Sequence, residues 1–145
     1  MRGKQLIFCL VTMATLVGCS NIPMFSPDPK TKMTNIRVMN FGQYEICQKG
    51  KRYRLPLKWG AGDEMSIQVP TGDVIGLAVF KYEIEYKRSS SCMPGFDFRP
   101  MENQSYVMNN GVHGNKCFAE IVRIDGSKDR GISLEPNMTE YSCKP

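Results

Sequence analysis

The chain has 145 residues, a formal net charge of +5 and 41% hydrophobic residues. A chain of this length can bury one hydrophobic core, so the length predicts a single domain. Because the positive charge is mild and no Lys/Arg run occurs, the composition excludes a nucleic-acid-binding protein.

Residues 1–18 have the layout of an export signal. Arg2 and Lys4 make a basic start, an apolar run extends from Leu6 to Leu16, and the small residue Gly18 precedes Cys19. The apolar run is too short to span a membrane, which takes about twenty residues. The pattern therefore predicts a signal peptide over residues 1–18.

The tetrapeptide Leu16-Val17-Gly18-Cys19 resembles the lipobox of bacterial lipoproteins. The resemblance implies cleavage before Cys19, a diacylglycerol on its sulfur and an acyl group on its new amine. Two or three acyl chains of this kind anchor a protein stably in a membrane. In that family, a residue other than aspartate after the cysteine, here Ser20, implies the outer membrane. We expect a lipid-anchored domain that faces the periplasm. The alternative is an ordinary secretory signal in which Cys19 is incidental.

Of the six cysteines, Cys9 would leave with the signal and Cys19 would carry lipid. An even set of widely spaced cysteines in an oxidising compartment is typical of disulfides, whereas metal sites usually have close cysteine pairs and histidines. We therefore expect two disulfides and neither a metal nor a cofactor. Three pairings are open, and the spacing favours Cys92 with Cys117 and Cys47 with Cys143.

Residues 19–33 contain Pro23, Pro27 and Pro29 and no hydrophobic period. Such a segment predicts an extended tether, which at ~3.1 Å per residue would reach up to roughly 40 Å. The folded domain is then expected over residues 34–145.

Hydrophobicity in that domain repeats mostly with period two, and turn residues separate the segments, which predicts β-strands. The predicted strands are Ile36–Phe41, Arg52–Trp59, Met65–Val69, Val74–Lys87, Phe96–Phe98, Ser105–Asn109, Cys117–Ile124 and Ile132–Leu134. About seven or eight short strands indicate an all-β fold, namely a single antiparallel β-sandwich stapled by disulfides, with a partly open barrel as the alternative.

The strand Val74–Lys87 is the longest of the set. Its first half, residues 74–80, is apolar on both faces, as expected for a central strand that is covered on both sides. In its second half Phe80, Tyr82, Ile84 and Tyr86 alternate with charged residues, so we expect these four to face the core. The segment from Pro70 to Tyr106 resembles small β-sandwich lipoproteins of Gram-negative bacteria, which implies the same fold and compartment and supplies no active site.

Candidate catalytic residues are few. The single histidine, His113, lies in a glycine- and asparagine-rich stretch that predicts an exposed loop. The run Ser89–Ser91 lacks the Gly-x-Ser-x-Gly turn of a nucleophile, so we expect it to be a loop as well. Glu83 and Glu85 would lie about 7 Å apart on one strand face, which suits a glycosidase carboxylate pair. Lysines flank them, however, as on an ordinary solvated face. We therefore expect no catalytic site.

Two groups are candidates for binding. A basic row is formed by Arg52, Arg54 and Lys58, with Lys49 and Lys51 near by. It would bind anionic headgroups, lipopolysaccharide or peptidoglycan, and each residue would contribute about 1 kcal/mol to the binding free energy. The alternative is an ordinary solvated face. Methionines and phenylalanines around Cys92 either fill the core or, if exposed, form an adaptable protein-binding surface. These are Met93, Met101, Met108, Phe96 and Phe98.

These features predict a non-catalytic outer-membrane lipoprotein whose domain binds or scaffolds another envelope or secretion-machinery component. One alternative is a hydrolase of an envelope polymer that uses Glu83 and Glu85 or His113. Another is a periplasmic inhibitor or ligand carrier.

Overall fold

The computed structural model describes residues 21–85, 88–114, 116–125 and 131–143, without the side chains of residues 83–85, 88 and 89. The predicted signal and Cys19 lie outside these residues. Within them there is no α-helix, and one 3₁₀ turn occurs at Ala61–Asp63. The strands in chain order are β1 (Met33–Val38), β2 (Gln43–Gln48), β3 (Lys51–Arg54), β4 (Lys58–Trp59), β5 (Met65–Pro70), β6 (Ile75–Glu85), β7 (Arg88–Cys92), β8 (Gly95–Phe98), β9 (Tyr106–His113), β10 (Lys116–Ile124), β11 (Ile132–Leu134) and β12 (Thr139–Glu140). The prediction of an all-β domain is confirmed.

The described strands form two six-stranded sheets. Sheet I has the spatial order β11-β10-β9-β1-β5-β4, and sheet II has the order β12-β8-β6-β2-β3, with β7 paired to β6. The described pairs of strands are antiparallel except that β1 runs parallel to β9, with Ile36 opposite Tyr106, and an isolated parallel bridge joins Met24 to Arg54. The purely antiparallel arrangement that we predicted is wrong for the pair of β1 and β9, which joins strands far apart in the chain.

One buried hydrophobic cluster draws side chains from both sheets. Sheet I contributes residues such as Ile36, Ile67 and Met108, and sheet II contributes residues such as Ile46 and Leu77. An edge-to-face chain of aromatic rings runs through the cluster, because Phe98 lies 5.6 Å from both Phe96 and Tyr106, measured between ring centroids. Period-two alternation is the reason that each strand supplies every second side chain to this core.

The strands differ from the sequence prediction in number and in boundaries. Pro56 divides the predicted strand Arg52–Trp59 into β3 of sheet II and β4 of sheet I, because proline cannot donate to a strand ladder. Strand β2 was not predicted, and β7 includes the serine run that we expected to be a loop. The described residues therefore contain twelve strands, several of them only two to four residues long, where we expected seven or eight.

The long strand β6 follows the prediction over part of its first half, since Val74, the predicted start, precedes the strand and is exposed. Residues 75–79 are buried on both faces, as expected for a central strand. Phe80 and Tyr82 are instead exposed, so the prediction that they face the core is wrong. Alternation places them on the same side as Gly76 and Ala78, which is the side that points away from Leu77 and the main core.

Part of the predicted tether packs on the domain. The Phe25 N–H donates to the Arg54 carbonyl and the Arg54 N–H donates to the Pro23 carbonyl, both at 2.8 Å. The Phe25 ring also packs against Tyr53, with ring centroids 5.9 Å apart. Residues 23–25 thus extend sheet II beyond β3, and strand β1 begins at Met33.

Candidate binding surfaces

The two disulfides have the pairing that the cysteine spacing favours. The bridge Cys92–Cys117 joins β7 to β10 across 25 residues of sequence, and Cys47–Cys143 joins β2 to the C-terminal segment across 96 residues. The second bridge ties that segment to sheet II.

The structure divides the predicted basic row between the two sheets. Arg52 and Arg54 project from the same face of β3, whereas Lys58 lies in β4 of sheet I and donates to the Gln68 side chain. The Arg52 guanidinium is engaged by the Glu45 carboxylate, with Nη2 2.7 Å and Nε 3.0 Å from Glu45 Oε2. The Glu45 side chain is only 3% exposed, so Arg52 neutralises a buried charge.

The structure describes only some of the predicted catalytic candidates. His113 is the last residue of β9 and pairs with Lys116, so it lies at the end of a hairpin strand and not in a loop as expected. Its neighbour Gly111 lies within β9 beneath the Phe118 ring, where an added Cβ would lie 3.0 Å from that ring. The side chains of Glu83 and Glu85 are outside the described set.

The methionines and phenylalanines around Cys92 mostly fill the core, as one of the two alternatives proposed. Phe96, Phe98 and Met108 are buried in the main cluster. Met93 is partly buried against Cys47 and Ala78, and Met101 is exposed. These residues therefore do not form a continuous surface.

An apolar surface lies elsewhere, on the outer face of sheet I, where Glu120 interrupts it between Phe118 and Val122. The register places Val122 opposite Leu134 and Ile124 opposite Ile132, and side chains opposite each other in a ladder share a face. Phe118 belongs to the same face of β10 by alternation. We call this set the apolar strip: Phe118, Val122, Ile124, Ile132 and Leu134.

The apolar strip is open to solvent and reaches the edge of its sheet. Ile132 is 50% exposed and Leu134 is 56% exposed. Both lie in β11, a strand of only three residues that ends the spatial order of sheet I. Contiguous exposed apolar side chains commonly mark interaction sites.

A shallow groove continues from the apolar strip across the same face. Its volume is about 300 Å³, and Ile124 lines it together with Asn35, Arg37, Glu64 and Ser105. Arg37 Nη1 and Glu64 Oε1 are 3.5 Å apart and both side chains are largely exposed. The outer face of sheet I thus combines an apolar region with an adjoining polar region of both charge signs.

Part of the outer face of sheet II is covered by residues 139–143, which we call the C-terminal strap. Thr139 pairs with Asp97 of β8, and the Ser142 N–H donates to Asp97 at 3.2 Å from Oδ1 and 3.3 Å from Oδ2. Cys143 then forms the bridge to Cys47 of β2. The strap therefore crosses from the edge strand β8 over β6 to β2.

The floor beneath the strap is made of very small residues. A Cβ added at Gly76 would lie 2.7 Å from Tyr141 Cε2 and 2.8 Å from Asp97 Oδ1. Ala78 next to it is fully buried, and Tyr141 is 7% exposed. Gly76 and Ala78 thus leave a slot that the Tyr141 ring fills.

The Tyr141 hydroxyl lies in this slot without a hydrogen-bond partner among the described residues. Burial raises the pKa of Tyr141, the positive charge of Arg52 lowers it, and the negative charges of Glu45 and Asp97 raise it. The hydroxyl therefore stays protonated at neutral pH beside two carboxylates.

A second polar cluster lies inside the domain, on the core side of sheet I. Arg123 is opposite both Tyr106 and Ser133, and Glu135 Oε1 accepts from the Asn137 side chain at 3.3 Å. Glu135 Oε2 and Ser133 Oγ have no partner in the part of the chain that the structure describes. Tyr106 and Glu135 are almost fully buried, so this cluster is not open to a macromolecular partner.

Sequence reasoning missed Glu45, Asp97 and Tyr141 as parts of one arrangement. The available signals were a glutamate between two apolar residues, Tyr44 and Ile46, and a tyrosine two residues before the last cysteine. Neither signal identifies a partner, because the contacts depend on the register of four strands and on the path of the strap.

No family model, curated protein or solved structure matches the chain. Over the described ranges, none of the helical structure has the length and apolar character needed to cross a membrane. In the same residues, histidine, cysteine, aspartate and glutamate side chains form no group of three or more that could hold a metal ion.

Proposed function

We propose that the protein is a non-catalytic lipoprotein of the bacterial outer membrane whose β domain faces the periplasm and binds or scaffolds another envelope or secretion-machinery protein. The observation that carries the proposal is the apolar strip on the outer face of sheet I, which reaches the edge of that sheet. The lipobox at Leu16–Cys19 supports the anchor, and the two disulfides suit an oxidising compartment.

We also propose that the two sheets pack as a β-sandwich. The support is the single buried cluster that both sheets supply, with side chains such as Ile36 from sheet I and Leu77 from sheet II. In such a fold each sheet keeps one face for the core and presents the other outward. The outer face of sheet I is then free to serve a partner.

The apolar strip favours a protein as the partner over a charged polymer. The core of a protein interface is apolar and depleted of charge, and a polar rim surrounds it. Ile124, Ile132 and Leu134 provide such a core, and the groove with Arg37 and Glu64 provides polar groups at its side. A surface for lipopolysaccharide or peptidoglycan would instead present a cluster of cations, and the predicted basic row does not assemble into one.

The test is crosslinking in intact cells, followed by affinity isolation under denaturing conditions and mass spectrometry. We expect the native chain to yield a defined crosslinked envelope protein, and Leu134→Asp to lose it, because a charge within an apolar contact is costly to desolvate. The matched control is Val74→Asp, which places the same charge at another apolar residue of similar exposure, 54% against 56%.

Loss of the crosslinked protein in Leu134→Asp and its retention in Val74→Asp supports the proposal. Equal crosslinking in the two variants, with both folded and equally abundant, contradicts it. If the native chain crosslinks to no protein and the variants are defective in processing a cell-wall polymer, the hydrolase alternative is favoured.

A further inference from the structure

We propose that the slot over Gly76 and the adjoining edge of β8 form a binding site for an extended peptide segment that carries an aromatic side chain. In the closed form the C-terminal strap occupies this site, and the Cys47–Cys143 bridge latches it there. The site lies on sheet II and does not depend on the function proposed for the apolar strip.

The strap shows which chemistry the site accepts. Thr139 and Glu140 add to the edge of β8 as a strand, as in recognition of a peptide by strand addition. The Asp97 carboxylate accepts a backbone N–H of the occupant, that of Ser142. The slot above Gly76 and Ala78 accepts one aromatic ring, that of Tyr141. The β8 edge and Asp97 thus contact the main chain of the occupant and provide affinity. The slot holds one side chain and provides specificity.

The strap is suited to displacement because its strand pairing with β8 is short. Strand β12 has two residues, Thr139 and Glu140, and both are exposed, while Met138 just before them packs partly buried against the main core. The buried Tyr141 hydroxyl finds no partner among the described residues, and an unsatisfied buried polar group weakens the hold. By contrast, the disulfide closes a segment of 96 residues and keeps the strap at the site.

A dithiol reductant opens the latch by thiol–disulfide exchange. One thiolate of the dithiol attacks the Cys143 sulfur, which belongs to the more exposed residue of the bridge, and the Cys47 sulfur leaves as a thiolate that takes up a proton. The second thiol of the reductant then attacks the mixed disulfide and releases Cys143. The bridge gains two electrons and two protons, and the dithiol becomes a disulfide.

The first measurement is hydrogen exchange on the full-length chain. The double variant Cys47→Ala/Cys143→Ala, which we call the unlatched variant, lacks the bridge. In it we expect the amides of residues 139–142 to exchange at least tenfold faster than in the oxidised native chain, while exchange of the β1 amides is unchanged. In the matched control, Cys92→Ala/Cys117→Ala, we expect the strap amides to keep their native protection.

The second measurement is fluorescence anisotropy with a labelled synthetic peptide of residues 137–143 in which serine replaces the final cysteine. We expect it to bind the unlatched variant at least tenfold more tightly than the oxidised native chain. Adding Tyr141→Ala to the unlatched variant removes the competing ring and should tighten binding further. A peptide with alanine in place of its tyrosine should not bind.

Three results would overturn the proposal. The first is native protection of the strap amides in the unlatched variant, because the bridge would then not be the latch. The second is fast exchange of the strap amides in the unlatched variant together with no binding of the labelled peptide. The third is loss of β1 protection both in the unlatched variant and in the native chain reduced with dithiothreitol, because the bridge would then be needed for the fold itself.

Discussion

Glu45 and Arg52 form an ion pair between neighbouring strands of sheet II, in which one carboxylate oxygen accepts both the Nε and the Nη2 hydrogen bonds of the guanidinium. The other carboxylate oxygen accepts from Gln43 Nε2 at 3.1 Å. Since the Glu45 side chain is 3% exposed, the pair lets a carboxylate occupy the middle of a buried strand.

Removing the arginine should therefore be costly. In Arg52→Ala the Glu45 charge stays buried without its partner, and we expect a loss of about 3 kcal/mol in the free energy of unfolding, measured by urea denaturation. The control is Lys32→Ala, which breaks an exposed ion pair with Glu102 and should cost no more than about 1 kcal/mol. Equal losses in the two variants would show that the Glu45–Arg52 pair has no special role.

Gly76→Ala should destabilise the domain through the strap. The new methyl group would overlap the Tyr141 ring and Asp97 Oδ1, and overpacking of this kind costs about 1–3 kcal/mol. In the control Gly60→Ala the added Cβ would lie 3.5 Å from its nearest heavy atom. The free energy of unfolding, measured by urea denaturation, should therefore change by no more than about 0.5 kcal/mol. A neutral effect at Gly76 would mean that Tyr141 does not pack as the structure shows.

Stability should fall at alkaline pH. Burial raises the pKa of Tyr44, Tyr106 and Tyr141 above the ordinary value of 10.0, so above that pH the unfolded chain loses tyrosine protons that the folded chain keeps. Their stabilising contribution is complete below about pH 10 and is lost as the pH rises through the folded-state values. Each such proton makes the free energy of unfolding fall by about 1.4 kcal/mol per pH unit.

The variant Tyr141→Phe isolates one of these protons. Near neutral pH it should be as stable as the native chain or more stable, because the lost hydroxyl finds no partner within the described residues. Above pH 10 its unfolding free energy should decline less steeply than that of the native chain. Urea denaturation at pH 8 and at pH 11 measures both effects, and parallel declines would contradict the assignment.

Lipid attachment should depend on Cys19. Cys19→Ala should leave an unprocessed precursor that takes up no labelled palmitate, because the sulfur that receives the diacylglycerol is missing. Cys9→Ala, which alters the other cysteine before the domain, should be processed and labelled normally. Labelling that survives in Cys19→Ala would refute the anchor.

His113 should be dispensable. It is exposed at the end of β9, and its replacement by alanine should change the unfolding free energy by no more than ~0.5 kcal/mol, as at ordinary surface positions. The variant should retain the crosslinked envelope protein and complement a deletion strain. Complete loss of function in a folded His113→Ala protein would instead support the hydrolase alternative.

Several strands could be predicted closely from alternation and turn residues. The predicted segment Ile132–Leu134 coincides with β11, and Cys117–Ile124 lies within β10. Strand β2 was missed although its first four residues, Gln43 to Ile46, alternate between polar and apolar. Alternation would leave Glu45 on a solvated face, whereas the structure buries it. Its burial depends on a guanidinium that arrives from β3, and sequence spacing does not show that contact.

The sequence by itself determined that the domain is built of strands and that its four cysteines form two bridges, whereas the structure decided between the three possible pairings. Strand formation and cysteine parity are properties of composition and short-range pattern, which need no knowledge of packing. Only the tertiary structure decided which apolar side chains are covered and which stay open. Leu77 and Leu134 are both leucines within strands, yet one is in the core and the other is on the apolar strip. The difference arises because burial depends on whether a second layer covers that face of the sheet.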